Sequence, residues 1–190
     1  MTSTLDIRLI EALVAGKPLG QPAPWSGSDT TQVEALHRRA CADIERTCRV
    51  RSRITWDDYG SGYASYVDAW FYRPDADFAV RQPPGADPEY VGLAVLLCRL
   101  SPHFVLGEGR QGWSAVRSHR YMPSLAMVDV FTNDAVRALA EQVATLLGRH
   151  GLARAHAAEL RTPLPCAQRV RTNLTTHGQT WFDALFHWED

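Results

Sequence analysis

Lysine is almost missing from this 190-residue chain: Lys17 is the single lysine among 20 basic residues. A surplus of either charge is missing too. The 20 bases face 21 acids for a net charge of −1, so no overall field draws the chain to nucleic acid or to an anionic membrane. No apolar run reaches 18 residues, and no membrane-spanning segment is expected. The opening stretch, MTSTLDIRLIEALVAGKPLG, has no basic lead-in, and Asp6, Arg8 and Glu11 interrupt it, unlike a signal peptide. Cysteine is sparse: Cys41, Cys48, Cys98 and Cys166 form no CxxC pair. Cys41 and Cys48 lie about two turns apart on an expected helix, too far to bridge within it. This usage predicts a reduced, cytoplasmic protein.

Signatures of catalysis are equally scarce. There is no HExxH and no GxSxG. Asp57 and Asp58 are adjacent, and neighbours on a strand point to opposite faces, so they do not make a two-carboxylate site. GEGRQG at 107–112 matches GxGxxG, with Asp129 beyond it. A dinucleotide site needs that turn to open a helix whose N-terminus faces a pyrophosphate. The following WSAVRSHRYMP is short, has no amphipathic stripe and ends at Pro123, so a surface turn between strands is expected instead. Cys98, inside an apolar run, reads as a small buried hydrophobe. No catalytic residue, cofactor or metal is expected.

What is present is an ordinary helix-and-strand pattern. Leu5, Leu9, Ala12 and Leu13 have helical spacing over 4–15. A second helix is expected over about 29–48, burying Val33, Leu36, Ala40, Ile44 and Cys48. The Pro/Gly-rich connector 16–28 lies between them, with Trp25 as its anchor to the body. ASYVDAWFY alternates, placing Val67, Ala69 and Phe71 on one face and Tyr66, Asp68, Trp70 and Tyr72 on the other. YVGLAVLLCRL reads as a central strand covered on both faces, HFVLGEG as its returning neighbour and SLAMVDVF as a further buried strand. A helix follows, with Thr132 or Asn133 as its cap and Val136, Leu139, Val143 and Leu147 on one stripe. In the tail, Phe182, Ala184, Phe186 and Trp188 alternate with polar residues and read as a strand rather than a helix. The chain, 1–190, is therefore expected to form one α+β domain. Its sheet is mostly antiparallel with helices packed on it, the C-terminal residues lie in the sheet, and the helical segment 1–48 contains the connector.

Charge is segregated along the chain. Residues 54–89 carry seven acids against Arg73 and Arg81, while 37–53 carry six arginines against Asp43 and Glu45. The acidic stretch is also rich in rings. Protein interfaces favour Trp and Tyr at their centres and use charge to steer encounter. Trp56, Tyr59, Tyr63 and Trp70 are the expected anchors, and Asp57, Asp58, Asp75 and Asp77 the expected acidic contacts.

The acidic aromatic middle and the ending TPLPCAQ…NLTTHGQTWFDALFHWED resemble the immunity proteins of bacterial polymorphic toxin systems, including those that protect against type VI secretion effectors. The resemblance implies a chain that binds a cognate toxin and blocks it without turnover. The acidic segment would then cover a basic active-site cleft. A small enzyme built from His119, Cys166, His177 and His187, or an adaptor that carries an effector, is the alternative. An unpaired sheet edge would also join two copies as a homodimer.

Overall fold

The computed structural model describes residues 7–14, 23–26, 30–56, 62–113, 118–165, 169–170, 172 and 179–189. Helix α1 (Ile7–Val14) buries Ile10 and Leu13. Trp25 is buried in the core beside α2 residues, as its place in the connector predicts. Helix α2 (Thr31–Cys48) buries Val33, His37, Ala40, Cys41, Ile44 and Cys48, the three- and four-residue spacing of one helical face. Arg49, left-handed at φ 53°, closes it by donating its N–H to the Glu45 carbonyl.

The strands follow: β1 (Arg51–Thr55), β2 (Tyr63–Ala64), β3 (Tyr66–Tyr72), β4 (Glu89–Cys98), β5 (His103–Trp113) and β6 (Ser118–Arg120). After a 3₁₀ turn at Leu125–Met127 come α3 (Asp134–Arg149), β7 (Ala153–Arg154), α4 (Ala157–Leu160), α5 (Trp181–Leu185) and β8 (Trp188–Glu189). The main sheet runs β1-β3-β4-β5-β6, all antiparallel, and β7 joins the other end of β5's outer edge in parallel. The fold is α+β. Strand β4 is central, and its apolar run serves both faces: Leu93, Val95 and Leu97 meet the α2–α3 layer, while Leu96 and Cys98 meet residues of α1, α4 and α5. Asn133 caps α3 by accepting from the N–H groups of Ala135 and Val136.

Three expectations are corrected. SLAMVDVF is no strand; it forms the 3₁₀ turn and a single bridge from Val128 to Gly107. GEGRQG is not a surface turn but the interior of β5. Its glycines make room for neighbours. A Cβ at Gly109 would strike the Tyr121 ring, and one at Gly107 the Met127 carbonyl. Across the pair, a Cβ at Gly92 would lie 2.6 Å from the Trp70 ring. The aromatic tail is not one strand either. Residues 181–185 form a helical turn, because Thr180 and Asp183 make a capping box: the Asp183 carboxylate accepts from the Thr180 N–H at 2.7 Å and from its hydroxyl at 3.0 Å. Only Trp188–Glu189 are extended, and they pair with β2 in a second, two-stranded sheet. Ser65 fastens this end. Its single hydroxyl proton is shared between the Leu185 carbonyl at 2.9 Å and the His187 carbonyl at 3.2 Å, and its oxygen accepts from the His187 N–H at 2.8 Å.

Candidate functional site

The acidic aromatic segment does not fold into one patch. Trp56 follows β1 at the level where β3 begins, since Thr55 pairs with Asp68. Asp75 and Asp77 sit in the exposed turn beyond Tyr72, at the far end of β3. Six residue steps of strand separate the two ends of β3, roughly 20 Å. The acidic turn has its own anchorage: Asp75 accepts from the Asp77 N–H at 3.2 Å, and the Asp77 carbonyl accepts from the Asn133 side chain at 2.8 Å. Asp57, Asp58 and Tyr59 lie outside the described residues. Trp70 is fully buried, and its indole N–H donates to the Gly109 carbonyl at 3.0 Å. It has no surface for a partner and is a core residue, because Gly92 lets its ring lie flat on the sheet. Asp68, one of the seven acids of the stretch, is also buried; Arg120 and the Tyr121 hydroxyl bond its carboxylate, and Arg120 also reaches the Thr55 hydroxyl at 2.7 Å.

What the fold does bring together is Trp56, Tyr63 and the N-terminal half of α2. The Arg38 guanidinium lies 4.2 Å from the Trp56 ring centre. Glu34, one turn earlier on α2, holds that guanidinium through bonds of 2.8 and 2.6 Å. Glu34 also lines a cavity of about 100 Å³ with Thr30, Val33, Tyr63 and Arg99. Arg99 donates to the Trp56 carbonyl and, at 3.4 Å, to the Tyr66 carbonyl. Tyr63 meets the His187 ring at 5.8 Å between centres, so the C-terminal segment backs it. Trp56 and Tyr63 are both half-buried. Of the expected contact residues that are described, Trp56 and Tyr63 are the two linked to one another, through Arg99 and the Glu34–Arg38 pair.

Beside Trp56, between α2 and the edge strand β1, lies an open hollow of about 360 Å³. Arg38, Cys41, Glu45, Ser52, Ile54 and Trp56 line it. The Ser52 hydroxyl donates to Glu45 at 2.6 Å. Cys41 is pushed up to about 12 by burial and then by Glu45, so its thiol keeps its proton. His37 of α2 is fully buried, and neither ring nitrogen has a hydrogen-bond partner among the described residues. Burial, with Arg99 adding to it, lowers its pKa to about 3, so it is neutral. Cys98 is buried as expected, and burial pushes its thiol up. Of the scattered enzyme candidates, Cys166 and His177 lie outside the described residues, as does the side chain of His119. His187 is buried and lowered by that burial. Among the described residues, no three His, Cys, Asp or Glu side chains gather where a metal ion would sit. No described helix is long and apolar enough to cross a membrane.

Sequence reading missed Glu34, Arg38 and Arg99. The first two have a visible signal, since an acid and an arginine four apart on a helix meet. Arg99 has none, because it reaches Trp56 only once β3 and β4 are paired. Compared with known proteins, the chain matches no family model, no curated protein and no solved structure.

Proposed function

We propose that this chain is a cytoplasmic immunity protein: it binds a cognate protein toxin through the Trp56–Tyr63 surface and occludes it without turnover. The observation that carries the reading is the preorganisation of the two rings. Both are half-buried aromatics with fixed neighbours: Arg38 lies over the Trp56 ring, Arg99 holds the Trp56 carbonyl, and His187 of the tail packs against Tyr63. Aromatic anchors held in place before binding lose little freedom when a partner covers them. Asp57, Asp58 and Tyr59, which stand between Trp56 and Tyr63 in the sequence, complete the proposed set of toxin contacts. Their carboxylates would meet basic groups in the toxin's cleft.

The test is growth. The product of the gene beside this one is expressed alone and together with the chain. Toxicity relieved by the wild-type chain, and not by Trp56→Ala with Tyr63→Ala, supports the reading. A neighbouring product that is harmless, or equal rescue by the double variant, removes it.

A small enzyme is the second reading, favoured by the 360 Å³ hollow and its Ser52–Glu45 bond. A carboxylate 2.6 Å from a hydroxyl is placed to take its proton. On that reading Ser52→Ala abolishes turnover.

A further inference from the structure

The open hollow between α2 and β1 has a charged residue at each end, and the two ends differ. Ser52 bonds Glu45 at one end, and Trp56 meets Arg38 at the other. Cys41, Ala42 and Ile54 line the stretch between them. Arg38 and Glu45 are seven residues apart on α2, about 10 Å along its axis.

At the Trp56 end the charge is balanced, because Nε and Nη2 of Arg38 both donate to Glu34. At the other end it is not. Glu45 Oε1 accepts the Ser52 hydroxyl at 2.6 Å, and Oε2 has no hydrogen-bond partner among the described residues. Nor does Glu45 form an ion pair among them; Arg46, its neighbour in sequence, pairs with Asp43 instead. Cys41, with its thiol pushed up to about 12, adds no charge. Arg49 and Arg51, past this end, are exposed, so water and salt screen them from the hollow. The lining therefore carries one uncompensated negative charge, on a half-buried carboxylate. Partial burial makes a counter-ion brought to such a group worth more than it is in open water.

We infer that the hollow receives an arginine side chain of a partner protein, its guanidinium paired with Glu45 and its methylene stem laid against Ile54, Ala42 and Cys41. The chemistry of the lining decides the occupant. An acidic or neutral side chain leaves Glu45 without its counter-ion. A guanidinium is planar, forks onto both oxygens of a carboxylate and is more weakly hydrated than an ammonium. A carboxylate has about four acceptor positions, so the Ser52 bond leaves room for the fork. The arginine stem is apolar and covers apolar walls while its head stays with the charge. The inference goes beyond the toxin reading: it concerns the hollow and holds for any partner that carries the arginine.

The test uses the full chain with N-acetyl-arginine amide and N-acetyl-citrulline amide, two probes of nearly the same shape, one charged and one neutral. Binding is followed by amide chemical shifts and by the indole N–H of Trp56. The arginine probe is expected to bind at least tenfold more tightly than the citrulline probe, to weaken as salt is added, and to shift residues 41–45 and 52–56. Glu45→Gln, which keeps the shape and removes the charge, is expected to abolish the preference, with unchanged shifts far from the hollow showing that the variant is folded. The inference is overturned if the arginine probe does not bind, if both probes bind the wild-type chain equally, if the folded Glu45→Gln chain keeps the preference, or if the shifts fall away from the hollow. Growth rescue tests the toxin reading separately, so either can fail without the other.

Discussion

Arg38 lies over Trp56, its guanidinium carbon 4.2 Å from the ring centre, and Glu34 holds it there from the preceding turn of α2. The pair ties the helix layer to the end of the edge strand. Both Arg38 and Glu34 are about half exposed, so the ion pair itself adds little to stability. Its effect is to fix the ring. Arg38→Gln is therefore expected to change unfolding free energy by less than about 1 kcal/mol and to weaken partner binding less than loss of the ring does. Urea unfolding and titration with the partner check the two halves. A large loss of stability would show that the stack supports the fold itself.

The glycines of β4 and β5 give a sharper structural prediction. Gly92→Ala and Gly107→Ala each place a methyl group against backbone, the Phe71 carbonyl and the Met127 carbonyl respectively. Each is expected to cost roughly 1–3 kcal/mol through forced shifts. Gly148→Ala, inside α3 with nothing within 4 Å of the new atom, is expected to stabilise by up to about 1 kcal/mol. Equilibrium unfolding of the three variants decides it. Equal effects would contradict the packing described around Trp70.

Acid should destabilise the chain through its buried imidazoles. Burial lowers His37 to about 3 and His103 to about 4 from an ordinary 6.5. The unfolded chain takes up these protons below pH 6.5 and the folded chain refuses them. Stability from both groups is thus full above pH 6.5 and is lost as pH falls toward the folded values. Between pH 7 and pH 5 each contributes a loss of roughly 2 kcal/mol. His37→Leu should remove about half of that slope. An unfolding free energy that does not change between pH 7 and pH 5 would contradict the neutral, buried assignment.

Ser65 carries the attachment of the C-terminal segment. Ser65→Ala leaves the buried His187 N–H without its acceptor and removes the donor to Leu185 and His187, at an expected cost of about 1–3 kcal/mol. Hydrogen exchange should localise the loss to 179–189. A uniform change across the molecule would show that the tail is not an independent attachment.

Much of the architecture is visible in the residues themselves. The spacing of Val33, Ala40, Ile44 and Cys48, and of Val136, Leu139, Val143 and Leu147, gives both long helices, because one apolar stripe per helix has one period. The unbroken run of β4 signals a strand covered on both faces. In the tail, alternation over 182–188 points to a strand, but the local Thr180–Asp183 capping box prevails over five residues. GEGRQG reads as a turn because glycine usually marks one. Here its absent side chains accept Tyr121 and Met127, contacts set by distant chain segments. Of the candidate contacts among the described residues, Trp56 and Tyr63 were legible in the sequence. Trp70 has the same composition signal, but burial is decided by register, and its register partner Ala94 with neighbouring Gly92 encloses it.

The most direct measurement is the affinity of the purified toxin for the chain and for Trp56→Ala, by calorimetry. The account predicts a one-to-one complex with the wild-type chain and a loss of at least about 2 kcal/mol, near thirtyfold, for the variant with its fold unchanged. Equal affinity for both chains would contradict it.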